Sequence, residues 1–230
     1  MGLIANIKTS LKAWERNLRA SFNVAPDTPA ARKRAQFYID FFDHGYLRKV
    51  WRNFHLVAPG VYRSNHPDRK HLTRIQALGI KTVINLRGSD PNATYLIERE
   101  DCDHLGLTLI DCNLVARSAT PKQHILDLID AMRHAEKPFV LHCKSGADRS
   151  GFAAAIYLME FQGETVAQAR RMLAPRYLHF KGTMTGILDH ILDTYAARQA
   201  QGEISFEDWV RTEYDHQTMQ SSFNQARGIA

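Results

Sequence analysis

The chain has 230 residues, 44% of them hydrophobic and 23% charged, with a net charge of +6. These proportions predict a soluble globular protein, and the lack of any apolar run of about 18 residues excludes a transmembrane helix. The positive charge favours polyanionic partners such as phosphorylated substrates or an acidic membrane surface, whereas no recognition motif indicates nucleic-acid binding. Three cysteines are too few for a disulfide framework and predict a cytoplasmic protein.

The N-terminal extension, residues 1–54, is predicted to be helical. Apolar residues recur at helical spacing from Leu3 to Phe22, and lysines and arginines occupy much of the remainder. Such a helix either packs on the folded domain or lies on a membrane surface, which would make the protein membrane-associated. Two prolines within 23–29 predict a hinge, and a second helix is expected over 30–44.

Residues 55–200 are predicted to form the main domain, an α/β fold with a mostly parallel sheet of about 4–5 strands between helices. Short apolar runs bounded by turns predict strands at 56–57, 61–63, 81–86, 107–114 and 139–141. Apolar periodicity predicts helices at 68–78, 93–104, 121–135, 152–159, 165–173 and 183–198. Capping boxes are expected at Thr120 and at Ser205, the second of which begins a helical tail over 201–230.

The most informative stretch is Phe139 to Gly151, which reads Phe-Val-Leu-His-Cys-Lys-Ser-Gly-Ala-Asp-Arg-Ser-Gly. A strand, a loop of small residues and a helix N-terminus form a cradle for an anion, because backbone N–H groups and the helix dipole face it. Cys143 lies in this cradle, where its pKa is expected to fall until it is a thiolate near neutral pH. Arg149 carries a planar guanidinium that matches two oxygens of a phosphoryl group.

These groups predict phosphate chemistry. A thiolate beneath a bound phosphate can attack phosphorus in line and form a cysteinyl-phosphate intermediate, which water then hydrolyses. Ser150 is expected to donate a hydrogen bond to the departing thiolate, and His142 is expected to fix the loop. The reaction requires no cofactor and no metal ion. The predicted substrate-binding residues are Lys144, Ser145, Gly146, Ala147 and Ser150.

The string His-Cys-x-x-Gly-x-x-Arg-Ser-Gly, between a strand and a helix, resembles the signature of the cysteine-dependent protein tyrosine phosphatase superfamily. The segments Val-Tyr-Arg-Ser (61–64) and Val-Ile-Asn-Leu-Arg (83–87) resemble elements of its compact dual-specificity branch, bacterial members included. This resemblance spans roughly residues 55–175 and implies a phosphoric monoester hydrolase. The alternative is a catalytically silent phosphate-binding scaffold, against which the intact Cys143 and Arg149 argue.

Two carboxylates are candidates for the general acid that protonates the leaving oxygen. Asp111, 32 residues before Cys143, has the spacing common in the superfamily, but it falls within a predicted strand. Asp148 directly precedes Arg149, as in the myotubularins and some bacterial phosphatases, where an Asp at that place is assigned the acid role. We favour Asp148 and leave two alternatives open, Asp111 and the absence of a dedicated acid.

The substrate class is also left open. The sequence Cys-Lys-x-Gly at Lys144 resembles phosphatases of inositol lipids and lipid phosphates, where extra positive charge meets extra phosphate. Phosphotyrosine or another phosphoprotein and a phosphoinositide or lipid phosphate are therefore equally weighted substrates. Arg87, at the end of a predicted strand, is expected either to contact substrate or to form a structural ion pair.

Overall fold

The computed structural model describes residues 13–14, 16–18 and 20–229. The amphipathic helix predicted over 3–22 therefore lies largely outside the described residues, and its packing remains a prediction. The described part of it is helical as far as Phe22. None of the described helices is both long enough and apolar enough to cross a membrane.

Among the described residues five short strands form one central sheet, at the places where the apolar runs predict them. They are β1 (His55–Ala58), β2 (Val61–Ser64), β3 (Thr82–Asn85), β4 (Thr108–Asp111) and β5 (Phe139–His142). Their order is β1-β2-β5-β3-β4, with β1 antiparallel to β2 and every other pair parallel. Because β5 is the middle strand, the loop that follows it emerges at the centre of the sheet edge.

The α-helices lie on both faces of the sheet. From residue 29 onward they are α1 (Pro29–Phe37), α2 (Gly45–Val50), α3 (Arg69–Ala77), α4 (Ala93–Leu105), α5 (Lys122–His134), α6 (Asp148–Gln162), α7 (Val166–Ala169), α8 (Ile187–Gln199), α9 (Phe206–Thr212) and α10 (His216–Ala226). One π-helical turn (Tyr38–Phe42) follows α1, and short 3-10 turns occur at Arg170–Met172, Pro175–Tyr177 and Met184–Gly186.

Two predictions of detail are wrong. The capping box at Thr120 does not form, because the Thr120 hydroxyl instead bonds the N–H and C=O of Val115 and closes the preceding loop. The strand predicted over 107–114 is shorter, Thr108–Asp111, although beyond it the Cys112 N–H still donates to the Asn85 oxygen at 2.8 Å and Asn113 forms an isolated bridge with Arg87. At Ser205 half of the predicted capping box forms: the Ser205 hydroxyl oxygen accepts from the Asp208 N–H and caps α9, while the Asp208 carboxylate accepts from the Ser205 hydroxyl.

In the part of the chain that the structure describes, the core consists of two apolar clusters, one on each face of the sheet. Neighbouring strand residues point to opposite faces. Ile84 and Leu141 therefore belong to the larger cluster, while Val83 and Val140 belong to the smaller one. In α6 every residue from 150 to 158 is buried. The central helix that begins at the cradle is thus held on all sides.

The C-terminal segment contributes to the larger cluster. Phe206, Trp209 and Tyr214 are buried in it, and the Tyr214 hydroxyl donates to the Thr120 carbonyl at 2.7 Å. The contacts of these three side chains bring the tail against α5 and α6. The domain boundary at residue 200 remains a prediction.

Candidate active site

The loop between β5 and α6 forms one wall of a pocket of about 980 Å³. Parallel strands end at this edge of the sheet, which is where open α/β sheets bind ligands. Five predicted site residues line the pocket together: Cys143, Lys144, Ser145, Asp148 and Arg149. The other three, Gly146, Ala147 and Ser150, lie in the same loop and at the start of α6.

The carbonyl groups of the loop are bound from outside it. The Lys144 oxygen accepts from the His66 N–H at 3.2 Å, and the Ser145 oxygen accepts from Asn53 Nδ2 at 3.0 Å. Asn53 also donates to the Tyr177 oxygen at 3.0 Å and is itself buried. Since these oxygens point outward, the loop can present its N–H groups to an anion.

Arg63 on β2 continues this arrangement. Its Nη2 donates to the oxygens of Gly146 and Ala147 at 2.6 and 2.9 Å, and its Nη1 donates to the Met172 oxygen at 2.6 Å. The guanidinium also lies 4.0 Å from the ring centroid of Tyr177. Burial lowers the pKa of Arg63 to about 10, so it remains a cation at neutral pH. From the sequence Arg63 is predicted only to lie in a strand, and its binding of the loop carbonyl groups is not predicted.

Gly146 is required by the path of the loop. Its φ of +74° lies in the left-handed region, which favours glycine. A Cβ atom there would approach the Asn65 nitrogen to 2.7 Å and the Ser64 carbonyl to 2.8 Å. Any larger residue would therefore push the loop away from β2.

Cys143 is 2% exposed, and its electrostatic surroundings favour the thiolate. Burial raises its pKa. The charge of Arg149 and hydrogen bonds from the Ser150 hydroxyl and N–H act in the other direction, and the pKa of Cys143 falls below its ordinary value. Cys102 and Cys112 differ, because burial raises the pKa of both thiols, that of Cys112 to about 12. Cys143 is therefore the cysteine suited to act as nucleophile.

The Arg149 side chain is oriented by the ends of neighbouring strands. Its Nη1 donates weakly to the carbonyl oxygens of Leu86 and Leu114, at 3.4 and 3.5 Å. Arg149 also lines an adjoining polar pocket of about 220 Å³, together with Arg87. The guanidinium thus lies where the ends of β3 and β4 meet the Cys143 loop.

His142 is anchored by a buried carboxylate. Its Nε2 lies 2.8 Å from Glu98 Oε1 on α4, and Glu98 Oε2 lies 3.6 Å from His66 Nδ1. The ligand atoms of these three residues lie within 4.8 Å of one another, so this group could hold a metal ion. The close approach of His142 to Glu98 gives this carboxylate another use, which is to fix the residue before the nucleophile, as expected of His142.

A second buried carboxylate, Asp43, pairs with three cationic side chains beside the pocket. It accepts from Arg87 at 3.0 and 3.2 Å and lies 3.1 Å from both Arg48 Nη1 and Lys144 Nζ. Burial alone would raise the pKa of Asp43, but the three cations outweigh burial and hold the pKa below its ordinary value. Arg87 therefore forms the structural ion pair, and Lys144 is also paired. No pattern in the sequence indicated this role for Asp43.

The two acid candidates occupy different places. Asp111 accepts from Asn85 Nδ2 at 2.9 Å and from the Tyr95 hydroxyl at 2.7 Å, and it is not among the described residues that line the pocket. Asp148 lines the pocket, and its Oδ1 lies 2.8 Å from His179 Nδ1. This geometry favours Asp148.

Comparison with known proteins agrees with this architecture. A family model described as "Dual specificity phosphatase, catalytic domain" matches residues 61–186, more than half of the chain. The chain is 27% identical over 115 residues to the dual specificity protein phosphatase TpbA of Pseudomonas aeruginosa, covering 48% of each protein. It is 30% identical over 108 residues to the inositol diphosphatase DSP4 of Arabidopsis thaliana, covering 43% of this chain and 51% of that one. The chain spans about half the length of these curated relatives.

Solved structures confirm the predicted fold. The crystal structure of P. aeruginosa TpbA superposes with a TM-score of 0.52 at 21% identity, over 65% of this chain and 91% of that one. A putative phosphatase (DUF442) from Shewanella putrefaciens CN-32 gives 0.51 at 15% identity, over 64% and 96%. At these identities the likeness concerns the fold alone.

Proposed function

The chain belongs to the dual specificity phosphatase family, and from that premise we propose that it hydrolyses phosphate monoesters through a cysteinyl-phosphate intermediate. One observation carries the proposal: a thiol of lowered pKa and the guanidinium that lowers it line the same pocket. Cys143 is the nucleophile, Arg149 binds the phosphoryl oxygens, and Asp148 is the general acid. The loop 144–147 supplies N–H groups.

In the first step the phosphate dianion lies against the loop and Arg149, and the Cys143 thiolate attacks phosphorus. A sulfur–phosphorus bond forms while the bond from phosphorus to the ester oxygen breaks. Asp148 gives its proton to that oxygen, which leaves as an alcohol or phenol.

In the second step water attacks phosphorus opposite the sulfur. The Asp148 carboxylate takes a proton from this water, the sulfur–phosphorus bond breaks, and inorganic phosphate is released. The Ser150 hydroxyl donates to the departing sulfur, in agreement with its part in lowering the pKa of Cys143.

For substrate we propose a phosphoprotein, phosphotyrosine included, or a phosphoinositide or other lipid phosphate. Four large apolar side chains are exposed and line the pocket. They are Leu47, Val50 and Trp51, on α2 and directly after it, and Leu178 on the other side of the pocket. This apolar border suits a phosphate carried on an aromatic ring or close to acyl chains. With the net charge of +6, it supports a lipid phosphate and peripheral membrane contact by the N-terminal helix.

A substrate panel tests the proposal. Phosphotyrosine and phosphoserine peptides, phosphoinositides and other lipid phosphates are compared, with Cys143→Ser as the blank and a chelator in parallel. We expect hydrolysis that Cys143→Ser abolishes and that the chelator leaves unchanged. Binding of these compounds without any turnover would support the catalytically silent scaffold instead.

A further inference from the structure

His179 bridges two carboxylates next to the pocket. Its Nδ1 lies 2.8 Å from Asp148 Oδ1, and its Nε2 lies 2.8 Å from Asp189 Oδ2. The ring is 1% exposed. His179 lies in the segment between α7 and α8, while Asp189 lies in the first turn of α8. The bridge therefore ties the first residue of α6 to α8.

The surroundings of His179 favour the imidazolium form. Burial lowers its pKa, but hydrogen bonds to both carboxylates and their charges outweigh burial and raise the pKa to about 9. A ring that donates from both nitrogens must carry both protons. While Asp148 holds its proton, the imidazolium and the Asp189 carboxylate balance and the group is neutral; once Asp148 has given the proton away, the group has a net charge of −1.

We propose that His179, with Asp189 as its buried counterion, is the positioning residue that holds Asp148 for proton transfer in both steps. This inference rests on the proposed function. Asp148 Oδ1 is bound by the ring, so the other carboxyl oxygen is the one that serves the pocket. A carboxylate at a helix start, 22% exposed, has several rotamers unless a partner fixes one.

The proton balance follows from this arrangement. In the first step the proton of Asp148 passes to the ester oxygen, and the carboxylate that results faces the imidazolium, which stabilises it. In the second step that carboxylate takes one proton from water. His179 keeps both of its protons throughout, so it orients and stabilises Asp148 without exchanging a proton with substrate.

The first test compares leaving groups. An alkyl phosphate needs a proton on its leaving oxygen, whereas an aryl phosphate with an acidic phenol needs little help. We expect His179→Asn and Asp189→Asn to lower kcat on the alkyl phosphate about tenfold to a hundredfold, and on the aryl phosphate less than about threefold. His190→Ala is the matched control, because His190 neighbours Asp189 but bonds Ser222, away from the pocket.

A double variant sharpens the test. If His179 acts through Asp148, His179→Asn should cause little further loss in an Asp148→Asn background. Equal losses on both substrates, or additive losses in the double variant, would overturn the inference while leaving Cys143-dependent turnover intact. If the wild-type protein shows no Cys143-dependent turnover, the proposed function fails and the inference fails with it.

A measurement on the unaltered protein covers the case in which these variants do not fold. Nitrogen-15 NMR of the histidine side chains reports which ring nitrogens carry protons. We expect the His179 ring to be doubly protonated at pH 7.5 and to titrate near pH 9. A neutral ring at pH 7.5 would contradict the proposal.

Discussion

The two sides of the Cys143 pocket hold a carboxylate in different ways. On one side Asp43 is surrounded by Arg48, Arg87 and Lys144. On the other side Asp148 is bound by a histidine. Arginine and lysine keep their protons at all physiological pH values, so Asp43 is fixed as an anion. Asp148 is 22% exposed and pairs with a histidine, so it is open to the pocket, whereas Asp43 is enclosed.

The difference separates structure from chemistry. Asp43 is 5% exposed, pairs with Arg48 of the same extension, and joins that extension to the loop after β5 through Lys144. Asp148 lines the pocket itself. Substitutions at Asp43 should therefore mainly lower the free energy of unfolding. Substitutions at Asp148 should mainly lower the turnover of substrates with a poor leaving group, such as an alkyl phosphate.

The largest effect is expected at Cys143, which lies between the Asp43 side and the Asp148 side of the pocket. Cys143→Ser should lower turnover of any phosphate monoester by more than about 10⁴-fold, because an alcohol of ordinary pKa replaces the thiolate. Initial rates under saturating substrate measure this. Cys112→Ala is the control, since the raised pKa of Cys112 makes it inert. Comparable losses in both variants would point to a structural effect.

Asp148→Asn should lower kcat about a hundredfold on an alkyl phosphate and only a few-fold on an activated aryl phosphate. The reason is that the amide cannot supply the proton that an alkoxide needs. The ratio of the two rates is the measurement. Asp111→Asn serves as the comparison and should leave that ratio unchanged. A larger change in Asp111→Asn would return the acid role to Asp111.

Asp43→Asn should lower the free energy of unfolding by about 3 kcal/mol, because Arg48 stays buried after losing its counter-charge. Urea denaturation measures this. Asp40→Asn removes the partner of the more exposed Lys49 and should cost less than about 0.5 kcal/mol. Any change in turnover should be equal on alkyl and aryl phosphates. A leaving-group effect at Asp43 would contradict the division of roles.

The pH dependence of stability should differ in sign between the two sides. The pKa of Asp43 is lowered in the folded state, so its contribution is present above the unfolded pKa of about 3.9 and is lost as pH falls through the folded value. The pKa of His179 is raised to about 9, so its contribution is present below the unfolded value and is lost as pH rises towards 9. Unfolding free energies from pH 3 to 10 for wild type, Asp43→Asn and His179→Asn measure both. Loss of the alkaline dependence in Asp43→Asn would contradict the assignment.

Lys144→Ala should have the smallest effect, because Lys144 already pairs with Asp43. If the Lys144 ammonium also contacts a second phosphate group of a lipid substrate, Lys144→Ala should lower lipid phosphate turnover about threefold more than phosphotyrosine turnover. Lys181→Ala, which removes an exposed partner of Asp193, is the control. Equal losses on both substrate classes would remove Lys144 as a specificity determinant.

Much of the fold and the reacting centre could be predicted from the sequence, because their signals are local. Each strand is a short apolar run. Cys143, Asp148 and Arg149 lie within seven consecutive residues whose order fixes a strand, a loop and a helix start. Local patterns of this kind survive folding with little influence from the rest of the chain.

The supporting residues could not be predicted, since their partners are distant along the chain. Arg63 binds a carbonyl 83 residues away, and Asn53 binds one 92 residues away. His179 looks like a loop histidine until Asp148 and Asp189 are placed beside it by α6 and α8. The Thr120 capping box failed for a related reason, because its hydroxyl found a better partner in Val115.

The most direct test of the central claim is to trap the covalent intermediate. Rapid acid quenching of enzyme mixed with a phosphate monoester, followed by mass spectrometry of its peptides, locates any phosphoryl group. We predict one phosphoryl group on Cys143, accumulating further in Ser150→Ala, where the sulfur leaves without its hydrogen bond. Full turnover with no phosphorylated Cys143, in wild type and in Ser150→Ala alike, would contradict nucleophilic catalysis by this thiolate.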